Sequence, residues 1–385
     1  MDDGSNERIL IAGAGLSGLY AALLLRQSGQ QVTVVEARDR IGGRAYSVPV
    51  SVEQGARALA GSRPGVDLGP AWLWPSYQPR ARALLDELGI ATLEQWETGR
   101  FLYQDQLGTV RGVDYPKRYA DTVRLRGGMQ TLAQRLHGEV PDLDLRLQTE
   151  VVAVSIDEHG VELRAACGTV LRGRALIVAV PPAIASRWSF APVLAQDLLD
   201  AMRRWPTWMA GQAKFVAVYD RAFWREAGCS GSAVSHLGPM MEINDHSDPE
   251  SGLSALFGFL GISVEQRRRT TGEALTASCI EQLVALFGSA AAKPREQWLM
   301  DWATEPFTTT DFDLNRGSGH PPYAEPALRR SYFGGRLLFA GAEAAAEHGG
   351  LVEGALLAAE TAVEQLLGGG SQPPDGADVS RVQNR

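Results

Sequence analysis

At 385 residues, with 45% hydrophobic and 21% charged side chains, the chain holds two to three domains' worth of material, or two interleaved domains, and can bury a sizeable core. Its net charge of −8 argues against nucleic acid or an anionic membrane surface as main partner. Three scattered cysteines, Cys167, Cys229 and Cys279, form neither a disulfide framework nor a zinc pattern.

The N-terminus "MDDGSNER" lacks a basic start and an apolar run, and the longest apolar stretches, "LYAALLL" and "ALIVAV", are too short to span a bilayer. A cytoplasmic protein is expected. From Arg8, "RILIA" reads as a strand cut off by glycine. "LSGLYAALLLRQS" has helical apolar spacing and stops at Gly29, and "QVTVVE" is a second strand ending on an acid. This is a β-α-β unit. Gly13, Gly15 and Gly18 fit the G-x-G-x-x-G pattern at its first turn, in which the glycines serve the tight turn, the approach of a pyrophosphate and close helix–strand packing. Glu36 stands where a carboxylate accepts the hydroxyls of an adenosine ribose. The signal is stronger than a lone glycine pattern because strand, helix and acid are all in place, and it identifies a dinucleotide site. The continuation "ARDRIGGR" leans toward FAD, since Gly42 and Gly43 allow a second backbone approach and Arg44 can balance pyrophosphate charge.

The stretch "GAGLSGL…VVEARDRIGGR" resembles the flavin-containing amine oxidase family, which includes monoamine, polyamine and L-amino-acid oxidases. The resemblance runs from Arg8 to about Leu367 and implies an α/β fold: a Rossmann-like FAD-binding domain interleaved with an α+β substrate domain on a mixed sheet. The FAD-binding domain is expected over 1–78, 124–190 and 329–368, the substrate domain over 79–123 and 191–328, with a disordered tail over 369–385. Cofactor contacts implied at the first turn are Gly13, Gly15, Leu16, Ser17, Gly18, Glu36, Ala37, Arg38, Gly42, Gly43 and Arg44. "DLGPAWLWPSYQP" resembles the stretch beneath the isoalloxazine ring, implying Gly69, Pro70, Ala71 and Trp72. Trp72 and Trp74 read equally well as pocket walls or as core aromatics. A helix "PRARALLDELGI" follows and begins the second domain.

"RLRGGMQTLAQRL" resembles the turn and helix that return to the flavin domain. Strands then alternate, turning at His159-Gly160 and Gly168, and "ALIVAV" is a buried strand stopped by Pro181-Pro182. The resemblance places backbone near Val152 against the adenine. Lys214 opens the strand "KFVAVYD". A lysine there reads as surface on sequence alone, whereas the resemblance makes it the catalytic lysine that holds a water against flavin N5, where a fixed cationic donor suits the chemistry. Arg267-Arg268-Arg269 reads as a solvated helix face. Cys279, in a stripe with Leu275, Leu283 and Leu286, reads as a core thiol.

Trp302 opens a motif leading to Phe312, where many relatives place a tyrosine of an aromatic cage. Asp311 stands where covalent forms carry cysteine, so non-covalent FAD is implied. The C-terminal "FAGAEAAAEHGGLVEGALLAAE" resembles the segment that brings Gly341, Ala342, Glu343, Gly350, Leu351 and Val352 to the flavin, its small residues permitting close approach. The second cage position is Leu351, a departure from tyrosine. The site thus expected uses Lys214, Phe312, Trp302 and Leu351 in catalysis, no metal, and a small amine and O2 as partners, and the resemblance implies a homodimer. The implied reaction passes a hydride equivalent from the amine α-carbon to flavin N5, and O2 reoxidises the flavin to give hydrogen peroxide. The alternatives are amino acids, with Arg80, Arg82 or Arg225 as carboxylate grips, polyamines, or a desaturase reaction. His348 is the one histidine expected near the flavin, and Trp205 is a further candidate pocket wall.

Overall fold

A computed structural model describes residues 7–51, 63–114, 118–314, 319–320 and 325–368. The expected tail over 369–385 lies outside them. The first sheet has five parallel strands, in the order Leu337–Phe339, Ala175–Val178, Ile9–Ala12, Val32–Val35 and Asp144–Arg146. The first four are buried throughout, as expected of a parallel sheet covered on both faces. Helix Leu16–Gln27 follows the first strand and shares a core with helix Gln130–Gly138 and the C-terminal helix Val352–Leu367. Alanines at 21, 22, 359 and 362 in that core let the backbones approach closely.

A four-stranded sheet over Val151–Ile156, Val161–Ala165, Val170–Gly173 and Ser189–Ala191 leads into and out of the strand Ala175–Val178. A third sheet has seven strands, in the order Glu296–Asp301, Ala213–Tyr219, Ser254–Leu260, Met240–Asp245, Cys229–Ser235, Arg100–Gln104 and Val110–Val113. It is mixed, because Cys229–Ser235 and Arg100–Gln104 run parallel and the other neighbours antiparallel. Helix Gly272–Phe287 covers one face with Leu275, Cys279, Leu283 and Leu286. The other face, with Val216, Val218 and Phe257, packs against Val66, Leu68 and Ala71. That packing lays the chain at 65–72 between the two sheets.

Two local readings change. Helix Pro79–Glu87, read as the start of the second domain, buries Ala81, Leu84 and Leu85 in the core of the parallel sheet. The arginine run is not a uniformly solvated face. Arg267 is buried, with its guanidinium on the Asp301 carboxylate at 2.8 Å and on the carbonyls of Ile262 and Gly211, while Arg269 stays outside with Glu265. A five-donor planar head can be buried only when it is surrounded by acceptors in this way.

Candidate active site

The three glycines of the first turn differ in their surroundings. Gly13 has φ +108°, and a Cβ there would come within 2.9 Å of the Ala179 carbonyl. A Cβ on Gly18 would fall inside contact distance of the Gly13 carbonyl, so helix and strand meet with no room to spare. A Cβ on Gly15 meets nothing within 4 Å. Its space faces outward over the N-terminus of helix Leu16–Gln27, as a cradle for phosphate requires. Gly42 and Gly43, both at positive φ, close the second loop onto this turn, the Gly42 amide bonding to the Ala14 carbonyl at 2.8 Å. Leu16 and Ser17 are buried at the start of the helix, where the Ser17 hydroxyl bonds to the Ala340 carbonyl.

Glu36 is buried, with its carboxylate fixed by the amides of Ala14 at 2.8 Å and Arg38 at 2.9 Å. Ala37 between them is half-buried. The Arg38 guanidinium reaches Glu305 and Thr308, tying this corner to the segment after Trp302. The Thr149 amide bonds to the Glu36 carbonyl, so the strand start at Val151-Val152 passes beside the acid. Val152 sits at a bulge and is 37% exposed, an apolar side chain left open next to the Glu36 carboxylate. An open Gly15, a fixed buried acid and an uncovered valine in one line are what a bound dinucleotide needs.

At the other end of this line, Arg44 and Glu343 form a bidentate ion pair at 2.6 and 3.2 Å, the arginine partly exposed and the glutamate buried. Two separately expected cofactor contacts thus form one unit joining the start of the chain to its end. Gly341 and Ala342 lead into Glu343, and the Gly350 amide returns to the Ala342 carbonyl at 3.2 Å. Gly350, at φ +79°, lies against the Trp208 side chain. Leu351 is the N-cap of the C-terminal helix and Val352 its buried first residue. His348 adopts φ +56° with its ring edge-on to Tyr77, centroids 4.4 Å apart.

Between the sheets, Gly69 packs so tightly on the Arg44 carbonyl that no side chain fits. Its own carbonyl accepts a 3.0 Å hydrogen bond from Lys214 Nζ. Lys214 is only 1% exposed, so it is not the surface lysine that its sequence position alone suggests. Its ammonium lies 4.2 Å from the Phe257 ring centroid, and burial pushes its pKa down to about 8 against the opposing pull of Asp67. Trp302 is buried and donates its indole N–H to the Leu68 carbonyl at 2.9 Å, clamping the same stretch from the other side. Pro70 is exposed and Ala71 buried.

Trp72 belongs to an aromatic box. It stacks on Tyr119 at 4.7 Å and packs against Phe257 and Phe259 at 5.4 and 6.0 Å, while its indole N–H bonds to Gln95 at 2.8 Å. Strand register places Lys214, Phe259 and Glu242 in one row across three strands, on the face that carries this box. Phe312 is not brought into it; it stands 40% exposed on the short helix Asp311–Leu314. Trp205 joins the core on the far side of the parallel sheet, away from Trp72. Arg225 is held bidentately by buried Asp245, and Arg80 by Glu353 and Glu360.

Sequence reading missed Tyr119, Phe257, Phe259 and Glu242, and with them a buried polar group beneath Lys214: Asp67, Arg124 and His246. The alternation of Phe257 and Phe259 in "ALFGFLG" was the available signal, since residues two apart on a strand share a face.

A model of flavin-containing amine oxidoreductases matches residues 103–367, and one of NAD(P)-binding Rossmann-like domains matches residues 11–88. The chain is 22% identical to a probable flavin-containing monoamine oxidase A of Dictyostelium discoideum, over 90% of this chain and 94% of that protein. It is 27% identical to an L-amino acid dehydrogenase of Synechocystis, over 63% of this chain and 51% of that protein. The fold matches that of a cyclohexylamine oxidase from Brevibacterium oxydans at TM-score 0.76, with 20% identity over 94% of this chain and 98% of that one. With a family model spanning most of the chain, and a Rossmann turn whose open Gly15 and fixed Glu36 fit FAD, the protein belongs to the flavin-containing amine oxidoreductase family and is an FAD-dependent enzyme acting on C–N bonds.

Proposed function

We propose that the protein oxidises small, predominantly apolar primary or secondary amines, with the aromatic box around Trp72 as the substrate pocket and O2 as electron acceptor, releasing hydrogen peroxide. The observation that supports this most directly is Lys214, fully buried, bonded to the Gly69 carbonyl and set against the same Phe257 and Phe259 rings that pack on Trp72. FAD supplies the hydride acceptor when bound. Gly15, Glu36, Val152 and the Arg44–Glu343 pair are proposed to hold it without a covalent link, and Trp302 to keep the Gly69 stretch in place. The protein's own work is then to exclude water with its rings, to orient the amine, and to keep a cationic donor at Lys214 Nζ. Leu351, the N-cap of the C-terminal helix, is proposed to border the pocket, whereas Phe312, exposed and outside the box, is not carried into it. A cytoplasmic, homodimeric enzyme fits this reading. The paired states of Arg225 and Arg80 leave neither free to grip a carboxylate, and Arg82 is exposed on helix Pro79–Glu87, which together favour amines over amino acids.

One observation favours a second reading of the substrate. Among the described residues, Glu242, half-buried beside the box, bonds only to neutral donors, the Tyr119 hydroxyl and the Asn244 amide at 3.0 Å. A carboxylate flanked by Trp72 and Tyr119 suits a second cationic nitrogen on the substrate. Anaerobic mixing of the FAD-loaded enzyme with aryl-alkyl amines, alicyclic amines, diamines and amino acids decides the matter. Bleaching of the visible flavin band by simple amines, with peroxide on admitting air, is the expected result. Bleaching mainly by diamines, lost in Glu242→Gln, establishes the second reading. Bleaching by amino acids alone, or by nothing in the panel, overturns both.

A further inference from the structure

Lys214 is a cation buried with one carbonyl and two aromatic faces for company, an arrangement that leaves most of its charge uncompensated. Two residues before the Gly69 carbonyl it binds stands Asp67, itself 1% exposed. One oxygen of Asp67 accepts from the Ser47 hydroxyl at 2.6 Å and the Met129 amide at 2.7 Å, while the other, Oδ2, lies 3.5 Å from His246 Nε2 and has no hydrogen-bond partner among the described residues. Arg124, also buried, binds the Ser247 carbonyl through Nη2 and leaves Nε without a partner. His246 accepts the Asp67 amide proton at Nε2 over 3.2 Å, so its proton sits on Nδ1, which is again buried and unpartnered. The neighbouring acids are already taken: Asp245 by Arg225 and the Trp224 indole, Asp248 by Arg126, and Asp301 by Arg267.

We propose that Asp67 is the positioning residue that keeps the Lys214 ammonium charged in the dry core, its carboxylate serving as the shared counter-ion of Lys214 and Arg124. The proposal rests on the amine-oxidase reading only for its catalytic significance, since the charge relation holds whatever the substrate. His246 fits this role because a histidine accepting a backbone amide at Nε2 is neutral and does not compete for the carboxylate. Burial, with the charges of Arg124 and Lys214, holds its pKa well below the usual range. Around Lys214 the charged neighbours are Asp67 from strand Gly65–Asp67, which favours the ammonium, and Arg124 from strand Val123–Leu125, which opposes it. Burial pushes the Asp67 carboxyl up, against the pull of Lys214, the Ser47 and Met129 hydrogen bonds and Arg124, so the two buried charges depend on each other. Glu242 lies on the same sheet face two strands away, occupied by Tyr119 and Asn244.

The sequence makes the test direct, because it contains three lysines only, Lys117, Lys214 and Lys293. FAD-loaded protein carrying lysine labelled with carbon-13 at Cε gives three resonances to follow with pH, and Lys214→Met assigns the buried one. In Asp67→Asn, which keeps one acceptor for Ser47 and Met129, the Lys214 titration should fall by about 1 unit or more, roughly a tenfold loss of proton affinity. Arg124→Met should move it the other way, because the carboxylate then serves Lys214 alone. If Asp67→Asn fails to fold, Asp67→Ser takes its place and is read the same way. A titration unmoved in the variants that fold, accompanied only by lower melting temperatures, would make Asp67 a structural residue and overturn the proposal. None of these readings needs amine turnover, so a failed substrate panel and a failed charge relation are told apart.

Discussion

Gly15 and Gly18 stand three residues apart in one turn, yet their surroundings assign opposite consequences to the same added methyl. At Gly18 the new Cβ meets the Gly13 carbonyl, and neither backbone can yield without moving the strand from the helix. Gly18→Ala should cost roughly 1–3 kcal/mol, as overpacking does, and lose FAD along with stability. At Gly15 the methyl points into open space. Gly15→Ala should leave stability within about 0.5 kcal/mol while weakening FAD binding, because the methyl occupies the place where a pyrophosphate approaches the backbone. Melting temperature and the FAD content of the purified variants separate the two effects. A Gly15→Ala protein that retained full FAD would move the phosphate site away from this turn.

Some elements depend on partners that local sequence does not reveal. Helix Pro79–Glu87 begins with Gln78, whose side chain makes no cap hydrogen bond. The missing acceptor comes from the C-terminal helix, where fully buried Glu353 takes the amides of Arg80 at 3.1 Å and Ala81 at 2.9 Å and faces the Arg80 guanidinium at 3.4 Å. An anion at a helix N-terminus is favoured by the helix dipole as well as by the unpaired amides. Glu353→Ala should therefore cost about 1–3 kcal/mol, and Glu353→Gln less, read as a shift of the denaturation midpoint. If Glu353→Ala unfolded like the parent protein, the cap would carry no energetic weight. This also explains an uneven legibility. The β-α-β unit was readable because its strand, turn, helix and acid all lie within thirty residues of chain. Glu353 is separated from the helix it caps by more than two hundred residues, and nothing in "LVEGALL" distinguishes a capping glutamate from a solvated one. The same holds for Arg267, whose partner Asp301 is on another element and whose neighbours in the arginine run are ordinary surface residues.

At the scale of the whole molecule, the proposed substrate face is assembled from Trp72, Tyr119, Lys214, Glu242, Phe257 and Phe259, which come from five separate chain segments and meet only once the seven-stranded sheet has closed over the stretch at 65–72. Family resemblance could point to Lys214, but not to the rings around it or to the buried charges below. Those charges make folding itself respond to pH. The Lys214 pKa drops from 10.5 in the free side chain to about 8 on burial, so the unfolded chain binds one proton more than the native state between these values. Below about pH 8 both states carry the proton and the full cost of the buried ammonium is felt. As pH rises from about 8 toward 10.5 the native lysine is already neutral while the unfolded one is still charged, and the native state gains about 1.4 kcal/mol per pH unit from this group alone. Lys214→Met removes the dependence while keeping the length of the side chain. Comparing the two FAD-loaded proteins by chemical denaturation across this range cancels the other titrating groups, so the parent should gain stability relative to the variant as pH rises through the window and then level off. A difference constant from neutral pH to 10.5 would mean that Lys214 keeps its proton throughout, with counter-charge from Asp67 strong enough to cancel the cost of burial.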